Sequence, residues 1–434
     1  MELTSAEIKQ LNSIEKVIEK AKGKLTLAEI TAETALPIDD ARSLLNVLLE
    51  RYNCRVNMDS AQGNIVFNFE YPLKRRDAKS FKEIAVKVGT ALWKGFQIVY
   101  KASLGILLIV YTTFFVLVLI ALFLRNSDDS DDNNVSDLVF GIFRAIFEAM
   151  QFKAMMDIST DYVQDGDYYY KQFRKPENKG KGFIQSVFHF VFGPERPKYD
   201  PLSDTLEAIA FIKQNNGKLN AGQIITLTGA DYDTAESKLA EYAGKFAGEL
   251  YIDENGVVTG EFHQLMHSTN SQLKGGKIEY YKNEIEPPVE FTGNTAGRNT
   301  AIIAMNIFNL MMSVMVVAMF EASVIGIFAG LLPMLISVLY FLIPIVRIPA
   351  YFKSKRKRKY SKLRKKIIGL ISEYSYAKLT KSDLNKILKS EEVNEADIDA
   401  AMSNICAELQ GEVNLNQNSE AVYQFDRLSR ELGK

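Results

Sequence analysis

The sequence predicts an α-helical membrane protein that carries three small α+β modules outside the bilayer. Long uncharged runs come first. ASLGILLIVYTTFFVLVLIALFL (102–124) has no charge, and AIIAMNIFNLMMSVMVVAMF (301–320) and ASVIGIFAGLLPMLISVLYFLIPIV (322–346) are parted only by Glu321. About 20 apolar residues cross the hydrocarbon core as a helix, so 300–350 has room for two crossings with a turn at Glu321. Second, a basic run follows: KSKRKRKYSKLRKK (353–366) holds 10 Lys or Arg in 14 residues and fixes the exit on the cytoplasmic side. Third, one order of elements, three helices and then a hairpin, recurs along the polar parts of the chain.

Module one covers 1–72. Ile8, Leu11, Ile14, Val17 and Ile18 recur at helical spacing. Thr26 with Glu29 forms a T-x-x-E capping box for a second helix. Pro37 opens a third, and CRVNMD and GNIVFNF read as paired strands. The same order recurs over 202–266 and 361–434. Gly23-Lys24-Leu25-Thr26 aligns with Gly217-Lys218-Leu219-Asn220 and Ala377-Lys378-Leu379-Thr380, and the hairpins end on Phe69, Phe262 and Phe425. Leu25 to Phe69 is 44 residues, Leu219 to Phe262 is 43 and Leu379 to Phe425 is 46. Three matches in one register point to an internal repeat.

Three helices and a hairpin resemble the winged helix-turn-helix fold over about half the chain. That resemblance implies DNA binding or protein docking, and the charges favour docking. Modules one, two and three hold 8, 4 and 11 Lys or Arg against 11, 10 and 12 Asp or Glu. The third helices begin Pro-Ile-Asp-Asp, Asp-Tyr-Asp-Thr and Asn-Glu-Ala-Asp, and acidic ends would meet phosphates. The same acids suit each helix's own dipole. Nucleic acid is therefore not the expected partner, and a membrane-tethered DNA-binding regulator is the lesser alternative.

The connecting segments read as follows. Residues 73–101 form a basic amphipathic linker. Residues 102–156 form a first membrane hairpin if LVFGIFRAIFEAMQFKAMM (138–156) crosses; it carries Arg144 and Glu148, spaced to pair within the bilayer. Basic residues flank both sides of this hairpin, and the acidic loop 126–137 lies between its arms. Four crossings then put all three modules on the cytoplasmic side of a bacterial inner or thylakoid-type membrane. Residues 157–201 are basic and aromatic. Within them FIQSVFHFVFG is too short to span, so Phe183, Phe188, Phe190 and Phe192 are expected at the lipid interface, holding module two against the membrane. Residues 267–299 read as a linker, 300–350 as the second hairpin and 351–366 as a polybasic segment running into module three. There Lys353, Lys355, Arg356, Lys357, Arg358 and Lys359 are the expected contacts to anionic lipid. Asn306 and Asn309 are candidate intramembrane polar residues, as helix–helix ties or as part of a pathway.

No P-loop, G-x-G-x-x-G, G-x-S-x-G or H-E-x-x-H motif occurs. The three histidines, His189, His263 and His267, lack cysteine ligands nearby, and Cys54 and Cys406 stand alone, which excludes a disulfide framework. No catalytic, cofactor or metal site is expected. The segment GFIQSVFHFVFGPERPKYD (182–200), beside the winged-helix-like modules, resembles a poorly characterised family of cyanobacterial and chloroplast membrane proteins. Some of its members carry a label linking them to iron–sulfur cluster assembly, which two isolated cysteines do not support. The expected function is a non-enzymatic membrane scaffold or assembly factor acting on a protein partner or on itself, with a transporter or channel component as the alternative.

Overall fold

The computed structural model describes residues 4–59, 64–76, 81–126, 168–169, 182–195, 198–267, 276–320, 323–373, 378–380, 382, 384, 394–417 and 420–433. The expected crossing 138–156, with Arg144 and Glu148, and the expected turn at Glu321 lie outside these residues.

Unit one runs α1 (Ser5–Lys20), β1 (Lys24–Thr26), α2 (Leu27–Thr34), α3 (Ile38–Arg51), β2 (Cys54–Asp59) and β3 (Asn64–Phe69). The Thr26–Glu29 box forms: the Glu29 carboxylate accepts the Thr26 amide at 2.8 Å, and the Glu29 amide donates to Thr26 Oγ1 at 3.3 Å. Two otherwise orphaned amides of α2 are thereby satisfied. The antiparallel sheet has the order β1-β3-β2 and pairs Val56 with Phe67 and Met58 with Ile65. The stripe Leu11, Ile14, Val17 and Ile18 is buried with Leu25, Leu45, Leu48 and Phe69 in one core.

After unit one come α4 (Phe81–Asn126), β4 (Tyr168–Tyr169), α5 (Phe183–Phe192) and β5 (Lys198–Tyr199), the two short strands pairing in parallel. Unit two is α6 (Ser203–Gln214), β6 (Lys218–Asn220), α7 (Ala221–Thr228), α8 (Tyr232–Lys245), β7 (Glu249–Ile252) and β8 (Val258–Glu261), with strand order β6-β8-β7. Asn220 and Gln223 repeat the reciprocal cap that Thr26 and Glu29 make. Then follow α9 (Tyr280–Asn283), α10 (Ala296–Phe320), a π-helical turn (Gly326–Leu331) and α11 (Leu332–Glu373). The last unit takes the distal half of α11 as its first helix. It adds β9 (Lys378–Thr380), α12 (Glu395–Glu408), β10 (Glu412–Leu415), β11 (Ala421–Gln424) and α13 (Asp426–Glu431), with strand order β10-β11-β9.

The units are not separate beads. One buried cluster joins Ala32, Ala35 and Ile38 of unit one to Ile209, Ile212 and Leu265 of unit two, and continues to Ile367, Ile371 and Leu428 of unit three. Each Ile or Leu among them contributes roughly 1.5–3 kcal/mol on full burial. The caps join the units as well. Thr26 Oγ1 donates to the His267 carbonyl of unit two at 2.9 Å, and Asn220 Nδ2 donates to the Glu431 carbonyl of unit three at 2.7 Å. In the stretch 267–299, expected to be a linker, the described residues from 276 on pack against units two and three: Glu279 is buried, its amide donating to Glu207 at 2.7 Å, and Glu284 pairs with Lys365.

Three helices among the described residues are long and apolar enough to cross a membrane: Lys87–Leu122 of α4, Ala296–Phe320, and Gly326–Glu373, which takes in the π turn and α11. The expected linker 73–101 is thus largely the start of α4. Close approach is set by small residues. A Cβ on Gly105 of α4 would stand 2.8 Å from Ile184 Cα of α5, and one on Gly330 would stand 2.8 Å from Val317 of α10.

Candidate functional site at the junction of the apolar helices and the outer strands

Helix α5 is the keystone of the apolar helices. Phe183, Ile184, Val187, Phe190 and Val191 are buried in one cluster with Leu108 and Ile109 of α4, Ile302 and Met305 of α10, and Tyr340 of α11. This corrects the expected lipid-facing set: protein covers Phe183, Phe188 and Phe190, and of the four only Phe192 is exposed. The reason is that three apolar helices converge on this short one and enclose it on more than one side. Phe188 and Phe192 also join a ladder of rings with Tyr100, Phe96 and Trp93 along α4, where the last three are exposed.

Arg347 of α11 closes the other end of α5. Its guanidinium donates to the Val191 carbonyl at 2.7 Å and to the Phe291 carbonyl at 2.8 Å, and lies 5.0 Å from the Phe291 ring centre. A cation there meets the negative end of the helix dipole. Gly193 ends α5 at φ +87°, and a Cβ on it would collide with Arg347. Sequence reasoning passed over Arg347, although a lone charge within IPIVRIPA was the available signal.

The two asparagines sit between apolar helices. Asn306 Nδ2 donates to the Ser337 carbonyl of α11 at 2.9 Å, and Asn309 Nδ2 donates to the Leu108 carbonyl of α4 at 3.2 Å. Both side chains are buried, and both amide oxygens are without a hydrogen-bond partner. An unpaired amide oxygen in an apolar surround costs on the order of 1–3 kcal/mol, so each is a place for a donor.

The polybasic run divides in two. Lys353, Lys355, Arg356 and Lys357 are exposed. Arg358 instead donates to the Glu286 carbonyl, and Lys359 pairs with Asp397 at 2.8 Å. Lys365 is buried between Glu284 at 3.0 Å and Glu286 at 2.7 Å. Protein carboxylates therefore take up part of the charge expected to face lipid. A cavity of about 410 Å³ opens beside Lys365, with Asp200, Asp204, Glu284 and Glu286 in its wall. Tyr281 also lines it; burial raises the Tyr281 pKa, and the neighbouring Arg364 holds it back. The basin is acidic, since four carboxylates face one lysine. Among the described residues no group of three or more His, Cys, Asp or Glu could hold a metal ion.

The outermost strands share another feature. On β2, Val56 and Met58 are exposed; on β7, Leu250 and Ile252; on β10, Val413 and Leu415. Each pair occupies the second and fourth places after the residue facing the terminal Phe of its hairpin. Among the described residues each strand lies at an open edge of its sheet. An edge strand usually carries charge or proline there, because its unpaired amides and carbonyls are a template for another strand. The alternation in C-R-V-N-M-D was visible in the sequence, but not the face it was on.

No family model, no curated protein and no solved structure matches this chain.

Proposed function

We propose that the chain is a membrane-anchored, non-enzymatic scaffold whose helix-and-hairpin units dock protein partners. The observation that carries this reading is the exposed apolar pair on each of the three outer strands. In a soluble setting such edges are a liability, so keeping them at equivalent positions in three units points to use. Their surroundings are acidic or neutral, which disfavours nucleic acid and anionic lipid as occupants. On this reading the units are winged-helix copies; the same strand order and the same cap-to-carbonyl link between neighbours support that. Three docking edges on one anchor would raise the effective concentration of a multivalent partner.

The same reading places the units on one side of the bilayer. Units one and two touch, through Thr26 and His267 among others. An even number of crossings must then separate them, so α4 needs a second crossing, for which 138–156 is the candidate. Photo-crosslinking groups at Met58 and Leu415 of the full chain in native membranes test the docking function. Adducts to protein are expected from both positions; adducts to lipid alone, or none, would sink it.

A second reading, a solute pathway through the apolar helices, is favoured by the unpaired oxygens of Asn306 and Asn309. It predicts ion or solute flux in proteoliposomes that Asn309→Leu abolishes, whereas a scaffold shows no flux in either case.

A further inference from the structure

Strand β7 of unit two combines three properties that the other outer strands share only in part. Among the described residues its outer edge is open, because the sheet order β6-β8-β7 leaves it paired on one side only. Its apolar residues stand on one face: Leu250 and Ile252 alternate at a spacing of two, and Val258 lies opposite Ile252. By the same alternation that face carries Phe262, which is fully buried, so the exposed patch continues outward from the core of the unit. Exposure rises along it, to 47% at Leu250 and 71% at Ile252. The rim is acidic, with Glu249, Asp253, Glu254 and Glu261 in or beside the hairpin, and Lys218 is the cation placed against Glu261 and Tyr251.

These properties select the occupant. A second copy meeting edge to edge would bring Glu249, Asp253 and Glu254 against their own duplicates, and like charges across a strand pair are destabilising. An anionic bilayer surface is repelled for the same reason. An extended chain with a cationic side chain at every second position satisfies both the rim and the face. Building on the scaffold reading, we infer that β7 is a docking edge for an extended segment of a partner protein, with apolar residues at alternate positions and Lys or Arg between them. The segment adds to the sheet as a fourth strand. Its backbone hydrogen-bonds to the outer edge of β7, its apolar residues cover Leu250 and Ile252, and its cations face the carboxylates.

The test uses the full chain in lipid nanodiscs and a fluorescent nine-residue peptide of alternating Val and Lys. Binding is expected, weakened at least tenfold by Leu250→Lys with Ile252→Lys. The positions are exposed, so the fold is retained, and an unchanged melting transition checks this. A peptide of alternating Val and Glu, and the Val–Lys peptide N-methylated at every residue, are both expected to fail. Equal binding of the N-methylated peptide would overturn strand addition, and equal binding by the double variant would overturn the assignment to β7. The amides of Leu250 and Ile252, which alternate with those bonded to β8 and point away from it, should exchange with deuterium freely without peptide and slow when it is added. Protection of these two before peptide is added would mean that lipid or a second copy covers the edge, and would overturn the inference. Failure here with protein adducts still forming at Met58 and Leu415 would leave the scaffold reading standing without this edge.

Discussion

At the scale of single residues, one glycine and two cysteines make the sharpest tests. Gly193 holds an extended backbone at positive φ (φ 87°, ψ 166°) under the Arg347 guanidinium. An L-residue in that region costs about 1–3 kcal/mol, and a methyl group there also pushes Arg347 from the carbonyls that end α5. Gly193→Ala should therefore lower the melting temperature of the purified protein clearly. Gly244→Ala should hold or raise it, because Gly244 lies in the last turn of α8 with open space around its Cα, and alanine is favoured over glycine by up to about 1 kcal/mol in a helix. Equal effects would remove the structural role given to Gly193. The cysteines differ in burial. Burial pushes the Cys406 thiol up to about 11 from an ordinary 9.0. Cys54 is half-buried and is raised as well, with a backbone hydrogen bond opposing. In the folded protein a thiol reagent at pH 8 should modify Cys54 first and Cys406 only after denaturant is added. The sign for stability follows. The folded state holds the Cys406 proton more tightly, so that contribution is whole below pH 9 and is lost as pH climbs past about 11.

At the scale of elements, the sequence was legible where the signal was local. The capping box at Thr26, the stripe of α1 and the strands CRVNMD and NIVFNF all rest on neighbours a few residues apart, and they form as the pattern requires. Helix α5 was not legible in the same way. Its phenylalanines have the same spacing whether lipid or protein covers them, and the covering residues lie far off in sequence, in α4, α10 and α11. Gly105 is the check on its placement. A leucine there would overlap the backbone of Ile184, force α5 away from α4 and open the cluster around Val187. Gly105→Leu should speed protease cleavage near 182–193 and broaden the elution profile, while Gly95→Leu, at a position with nothing nearby, should do neither. Identical behaviour of the two variants would mean that α5 does not depend on that contact.

At the scale of the molecule, the shared core is what sequence reading missed most. The contact from Thr26 to His267 spans 241 residues, and no periodicity announces it. Arg427 of unit three lies 4.1 Å from the Tyr232 ring of unit two and pairs with Glu236, while the Glu431 carboxyl, raised in pKa by burial, accepts from Arg427 at 3.0 Å. A 202–266 fragment alone would expose Ile209, Ile225 and Leu265, which the neighbouring units now help to bury. That fragment should be much less stable to urea than the same unit within the full chain, as read by hydrogen exchange at Leu239 and Phe246. Matching protection would show that unit two stands without its neighbours.

The 42 residues of α11 begin in the apolar region and end inside unit three. Pro344 and Pro349 interrupt its hydrogen-bond ladder, yet the helix runs on, and Leu363, Ile367 and Ile371 lock its far end into the core shared by all three units. Within α11 one continuous helix joins the apolar half to the half built into unit three. At 1.5 Å per residue the rod is about 60 Å long, so a tilt of about 10° at one end swings the other by about 10 Å. Thinning or thickening of the surrounding bilayer changes the tilt of a long apolar helix. On the proposed membrane anchoring, the units joined to α11 move as the arm of a lever whose short end lies in the bilayer, and the height and heading of their open strands follow the thickness of the membrane beneath.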